Sequence, residues 1–225
     1  LVSRGFETYF VSRFPRQHFS YFPNGIDREF LQPVSEVSDN DGAPQPPFSI
    51  LYAGNIGEGQ GLHAILPDLS LALEGQAVLT VIGDGGRKQQ LKSALEHVGA
   101  GSVVLLDPVD RVSLATAYQR ADILFLHLND YEAFRKVLPS KIFEYAATGK
   151  PILAGVAGHA ADFIANEVEN AEVFAPCDVE GAIAALDRLQ IKQTDRQDFI
   201  RKYDRQTIMQ GLASDIVAAV WSARP

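Results

Sequence analysis

Six short apolar runs, at 49–53, 78–82, 103–106, 122–127, 151–155 and 172–175, recur along the chain, each followed by a stretch with helical spacing. Runs this short and this apolar read as strands covered on both faces. Strands separated by helices pair in parallel, because the crossover returns the chain to the same end of the sheet. The helical stretches lie at 61–73, 87–97, 112–120, 139–149, 160–167 and 178–189. The expected fold class is α/β, a doubly wound parallel sheet of about six strands. In such sheets a ligand lies outside the carboxyl ends of the strands. That rule gathers 54–59, 83–86, 107–111 and 129–141 on one rim.

The last of these loops opens the most informative stretch, 137–155, VLPSKIFEYAATGKPILAG. Pro139 suits a first helical position, whose N–H has no intrahelical partner to lose. Ile142, Tyr145 and Ala146 repeat at helical spacing, and Gly149 with Pro151 is a stop signal. Where the helix opens, unpaired N–H groups and the positive end of its dipole sit beside Ser140 and Lys141, which makes a local anion site. One turn on, Glu144 shares a face with Lys141, and an acceptor-only carboxylate there suits a vicinal diol such as a ribose. The same spacing fits a solvated Lys141–Glu144 ion pair equally well.

Composition bounds the rest. With 225 residues, 46% of them hydrophobic, the chain is long enough for one large domain with a real core. Its net charge of -8 argues against a general nucleic-acid or anionic-membrane surface, so an anionic ligand must be held by local donors. The five histidines, His18, His63, His97, His127 and His159, show no zinc-ligand spacing with one another or with Cys177, and no metal is expected. The lone cysteine excludes an internal disulfide, fits a reducing compartment and reads as a small buried hydrophobe. No run approaches the roughly 18 apolar residues that cross a bilayer.

Outside the periodic part, residues 1–31 carry aromatic weight without clear periodicity and contain a tight-turn signal, PNGID, at 23–27. Residues 32–47 are polar and proline-rich, a surface linker. At the far end, Phe199, Tyr203, Ile208, Leu212, Ile216 and Val220 have helical spacing over 195–221, a long amphipathic helix. Its basic residues cluster at one end, which favours packing on protein over lying on a membrane. The chain begins without methionine and is expected to be a piece of a longer protein.

Taken in order, PNGID at 23–27, LYAGNIGEGQGL at 51–62, VIGDGG at 81–86, RADILFLHL at 120–128 and LPSKIFEYAATGKPIL at 138–153 resemble the C-terminal domain of family 4 glycosyltransferases of the GT-B fold. The subgroup is one tied to bacterial surface-polysaccharide assembly. The resemblance implies two Rossmann-like domains with the active site between them, this chain being the donor-binding half. Residues 1–31 would cross over from an absent acceptor domain, 32–47 would be the linker, 48–194 the nucleotide-sugar-binding domain, and 195–225 a helix packing back towards the absent half. It further implies a retaining, metal-independent transferase. This enzyme would move sugar from a nucleotide-sugar, by family frequency a UDP-sugar, to a glycan or lipid-linked acceptor. The protein would be cytoplasmic, with peripheral association of its full length at the inner face of the membrane.

Carried over by resemblance, Glu144 holds the donor ribose. Backbone N–H groups around Val137, Leu138, Ser140 and Lys141 meet the diphosphate, and the Lys141 side chain adds charge, so that Lys141 and Glu144 are the expected catalytic residues. Gly57 allows close approach of the phosphates, and Pro108 and Val109 border the base. Three positions depart from the pattern: Asn55 and Gln60 stand where the family has an arginine and a lysine, and Lys136 where it has a glutamate. Arg135, Lys136, Lys141 or Arg111 must then compensate. Those departures support an alternative, a nucleotide-binding module that no longer turns over. A sugar-nucleotide epimerase of the same architecture is a second alternative. A nicotinamide dehydrogenase is disfavoured, since neither glycine loop gives the spaced fingerprint with its ribose-binding acid.

Overall fold

The computed structural model describes residues 1–31 and 45–222. β1 (Phe48–Ala53), β2 (Ala77–Ile82), β3 (Val103–Leu106), β4 (Ile123–His127), β5 (Ile152–Gly155) and β6 (Ala171–Phe174) form one sheet in the order β3-β2-β1-β4-β5-β6. Every pairing is parallel. Among the described residues the helices are α1 (Glu7–Arg13), α2 (Leu62–Ala72), α3 (Lys88–Val98), α4 (Arg111–Arg120), α5 (Lys141–Ala147), α6 (His159–Glu167), α7 (Val179–Leu186), α8 (Gln197–Lys202) and α9 (Arg205–Ser222).

The strands read as unbroken apolar runs because each feeds two cores. Side chains alternate across a strand. Leu51, Leu124, Leu126, Ile152 and Ala154 face one core with Phe143 and Tyr145 of α5 and Phe163 and Ile164 of α6. Their neighbours Ile50, Tyr52, Ile123, Phe125 and Leu153 face the other, with Leu62, Ile65 and Leu69 of α2, Leu91 of α3 and Ala182 of α7. The doubly wound, Rossmann-like expectation therefore holds at the level of individual residues.

Strand order reverses between β1 and β4. These strands are neighbours, but the loop after β1 leads to α2 on one face and the loop after β4 leads to α5 on the other. The loops part and open a crevice at the carboxyl ends, the switch point at which such sheets bind ligands.

Three expectations need correcting or completing. The helix over 195–221 is two helices, α8 and α9. The carbonyl of Tyr203 accepts from the N–H of Ile26 (2.8 Å) instead of continuing the helix, and Arg205 N–H donates to Ile26 (3.2 Å). Asp204 then starts α9 by accepting from Thr207 N–H at 2.8 Å, an N-cap geometry. The apolar stripe is buried at Phe199, Tyr203 and Ile208 only, while Ile216 and Val220 are each 54% exposed. Residues 7–13, where no periodicity was evident, form α1, which buries none of its side chains. The linker reading at 32–47 falls, over 32–44, outside the described residues.

Candidate functional site

Lys141 begins α5 and its side chain crosses the end of β1. A Cβ at Gly54 would overlap Lys141 Cε and Nζ, so glycine, at φ +147°, is what admits the lysine there. Among the described residues Lys141 makes no hydrogen bond or ion pair. Burial pushes its pKa down and the Glu144 charge opposes that shift.

Glu144 lies one turn on, half-buried. Its Oε2 accepts from the Tyr118 hydroxyl at 3.3 Å. Burial pushes this carboxyl up, while Lys141 and then the Tyr118 hydrogen bond pull it back. Lys141 and Glu144 form no ion pair, so the solvated-pair reading of their spacing does not hold, and both retain hydrogen-bonding capacity. Pro139 and Ser140 supply the entering turn, their carbonyls accepting from Ile142 (3.2 Å) and Phe143 (3.1 Å). The N–H groups of Leu138, Ser140 and Lys141 carry no hydrogen bond among the described residues, whereas that of Val137 donates to Phe134 (3.1 Å) and is not open to a ligand.

The other predicted residues separate. Gly57 is closed over by its own loop: its N–H and Asn55 Nδ2 both donate to Gln60 Oε1, at 3.2 and 2.9 Å. A Cβ at 57 would come within 2.5 Å of Asn55 Nδ2, so glycine there also serves this clasp. Arg135 pairs with Asp130 (3.6 Å) and Glu132 (3.3 Å) on its own loop. Lys136 lies over the Tyr9 ring, 5.8 Å from its centroid. Among the described residues neither side chain makes a hydrogen bond or ion pair with Lys141 or Glu144. Pro108 and Val109 sit exposed in the loop from β3 to α4, on the same rim. Arg111 is held by Asp27 at 3.0 Å, and Arg205 meets the same Asp27 at 3.0 Å, which ties the PNGID turn to the starts of α4 and α9.

Two groups that order the rim were not singled out from sequence. Glu58 joins three loops: Arg87 Nε lies 2.5 Å from Oε2, the Tyr131 hydroxyl donates to Oε1, and Asn129 Nδ2 donates to its carbonyl at 2.9 Å. The Tyr131 hydrogen bond, with Arg87, holds this carboxyl below its ordinary range. His127, fully buried at the end of β4, accepts at Nε2 from the N–H of Cys177 (2.9 Å). Its proton must then sit on Nδ1, which meets the carbonyl of Gln60 at 2.7 Å. Burial pushes His127 down to about 4. Metal-ligand spacing says nothing of this histidine; its position at a strand end beside the switch point is the sequence signal that marks it. No cluster of three or more His, Cys, Asp or Glu side chains able to hold a metal occurs among the described residues.

The model of the glycosyl transferases group 1 family matches residues 35–206, more than half of the chain. The chain belongs to this family. A relative, the colanic acid biosynthesis glycosyl transferase WcaI of Escherichia coli (strain K12), is 27% identical over 135 residues, 57% of this chain and 33% of WcaI. The chain thus spans about a third of the length of this curated relative. Two solved structures share the fold seen here. Sucrose-phosphate synthase from Thermosynechococcus elongatus superposes with a TM-score of 0.71 at 17% identity, over 97% of this chain and 58% of the synthase. A variant of S. aureus TarM, in complex with fondaparinux, alpha-GlcNAc-glycerol and UDP, superposes with a TM-score of 0.67 at 12% identity, over 92% of this chain and 41% of TarM. The matched span contains the stretch 138–153, which brings Lys141 and Glu144 to the crevice.

Proposed function

We propose that this chain is the donor-binding part of a retaining glycosyltransferase that moves sugar from a UDP-sugar to a glycan or lipid-linked acceptor in polysaccharide biosynthesis. The acceptor would be taken by protein outside this chain, at the cytoplasmic side of a membrane. The observation that carries the reading is the unpaired Lys141 ammonium against Gly54 at the switch point. Beside it, the open N–H groups of Ser140 and Lys141 offer further donors to the diphosphate, and Glu144 Oε1 offers an acceptor to the ribose hydroxyls. As the glycosidic bond to the donor phosphate breaks, negative charge grows on the leaving diphosphate. A fixed ammonium and fixed amides, already partly out of water, stabilise that charge more than they stabilise the intact donor. The UDP in the TarM complex supports the choice of base.

One observation favours the second reading, a nucleotide-binding module without turnover. Asn55 and Gln60 bond to each other, and the rim cations Arg87, Lys88, Arg111 and Arg135 are all paired with carboxylates. Binding separates both readings from none, and sugar transfer or donor hydrolysis separates them from each other.

Thermal shift and calorimetry with UDP, several UDP-sugars, GDP-mannose and NAD test the proposal. A cognate nucleotide sugar at a hundredfold over its Kd should stabilise the chain by about 2.7 kcal/mol. Lys141→Ala should weaken that binding about tenfold or more, the loss of a charge-assisted hydrogen bond. Binding unchanged in Lys141→Ala, or no nucleotide bound at millimolar concentration, contradicts the proposal.

A further inference from the structure

Glu144 has a neighbour that the donor-site reading does not use. Tyr118, on α4, has no exposed surface. Its ring stacks on Phe30 with centroids 5.6 Å apart and meets the edge of Tyr145 at 5.2 Å. Tyr145 is itself anchored, its hydroxyl accepting from the N–H of Ala53 at 3.2 Å at the end of β1. The ring of Tyr118 is therefore clamped between a residue from the segment before β1 and a residue of α5, and among the described residues its hydroxyl donates to Glu144 Oε2 alone. Burial drives the Tyr118 hydroxyl far above its ordinary pKa, so it stays protonated and can only donate to a carboxylate.

We propose that Tyr118 is a positioning residue for Glu144: it holds Oε2 from within the core and so aims Oε1, which carries no hydrogen bond among the described residues, at the hydroxyls of a ribose. The proposal rests on the reading of Glu144 given under Proposed function. A glutamate on a half-exposed helix face turns freely about its last torsion, and a carboxylate that must stop turning to bind a diol loses affinity by that ordering. With Oε2 fixed, the ordering is already complete before the ligand arrives. The consequence is selectivity: a nucleotide lacking one ribose hydroxyl leaves Oε1, already aimed and desolvated, without its partner.

The test is the ratio of affinities for UDP and 2′-deoxy-UDP, measured by calorimetry on the wild-type chain, Tyr118→Phe and Glu144→Gln. Wild type should prefer UDP by about tenfold, the worth of one hydrogen bond to a charged group. Tyr118→Phe keeps the stacked ring and should melt within about 2 °C of wild type, yet its preference should fall to roughly twofold. Glu144→Gln should lose most of the preference. A Tyr118→Phe variant that keeps the wild-type ratio while Glu144→Gln loses it overturns the role of Tyr118 and leaves the donor site standing. A wild-type chain that binds neither nucleotide, or both equally, overturns the Glu144 reading and the inference with it.

Discussion

Arg196→Met is expected to destabilise the chain by about 3–5 kcal/mol, and to lower its melting temperature by roughly 10 °C. Arg196 is 6% exposed and works entirely on backbone carbonyls. Its Nη1 donates to Lys150 (3.0 Å) and Ala146 (3.3 Å), its Nε to Glu169 (2.9 Å), and its Nη2 to Glu169 and Asn170. Those carbonyls close α5 and precede β6, so one guanidinium joins the far end of the Lys141 helix to the sheet. A cation at a helix C-terminus also complements its dipole. Removing it leaves the part-buried Lys150 and Glu169 carbonyls with no other donor among the described residues. Methionine fills similar space and leaves that deficit as the main effect. Chemical denaturation measures it: a loss under about 1 kcal/mol would mean that water or relaxation replaces the fork. Arg196→Lys keeps the charge but presents a compact ammonium in place of the planar fork, and should recover less than half.

The second large effect is a dependence of stability on pH from His127. Its pKa is about 4 in the folded chain, against an ordinary 6.5. Above pH 6.5 the ring is neutral in both states and costs nothing. As pH falls below 6.5 the unfolded chain binds a proton that the folded site refuses, so stability falls until about pH 4, where the folded ring protonates as well. The loss over that window is about 3 kcal/mol. Protonation would also break the hydrogen bond that His127 Nε2 accepts from Cys177, and with it the anchor of the loop after β6, while Nδ1–H keeps its bond to the Gln60 carbonyl. Glutamine can mimic the neutral ring, donating to the Gln60 carbonyl and accepting from the Cys177 N–H. His127→Gln should therefore be nearly as stable as wild type at pH 8 and become the more stable of the two near pH 4.5. Carboxylates common to both chains cancel in the comparison. Parallel stability profiles for the two would show that His127 does not refuse the proton.

What was legible in the sequence follows from the range of each interaction. The six strands could be read because burial on both faces leaves an unbroken apolar run, and the start of α5 because Pro139, Ser140 and Lys141 act on their own neighbours. Lys141 and Glu144 could be paired because a helix fixes which side chains share a face. The break between α8 and α9 could not be read, because its cause is a bridge between Ile26 and Asp204, at opposite ends of the chain. The hydroxyl on Glu144 comes from another helix, 26 residues away. Arg196 looked like one of several basic residues near a helix start, since nothing local says that its acceptors lie on four carbonyls between Ala146 and Asn170. Asn55 and Gln60 read as lost cations by resemblance, while the structure shows what the substitution supplies: two amides that close the first loop over Gly57, with the Gln60 carbonyl held beneath by His127.

The central claim, that a nucleotide diphosphate is held at the opening of α5, is tested most directly by a crystal structure of the chain with UDP bound. The account predicts diphosphate oxygens at about 2.7–3.2 Å from Lys141 Nζ and from the N–H groups of Ser140 and Lys141, with a ribose hydroxyl at the same range from Glu144 Oε1. A nucleotide seated elsewhere on the rim, with Lys141 still unpaired against Gly54, would contradict it.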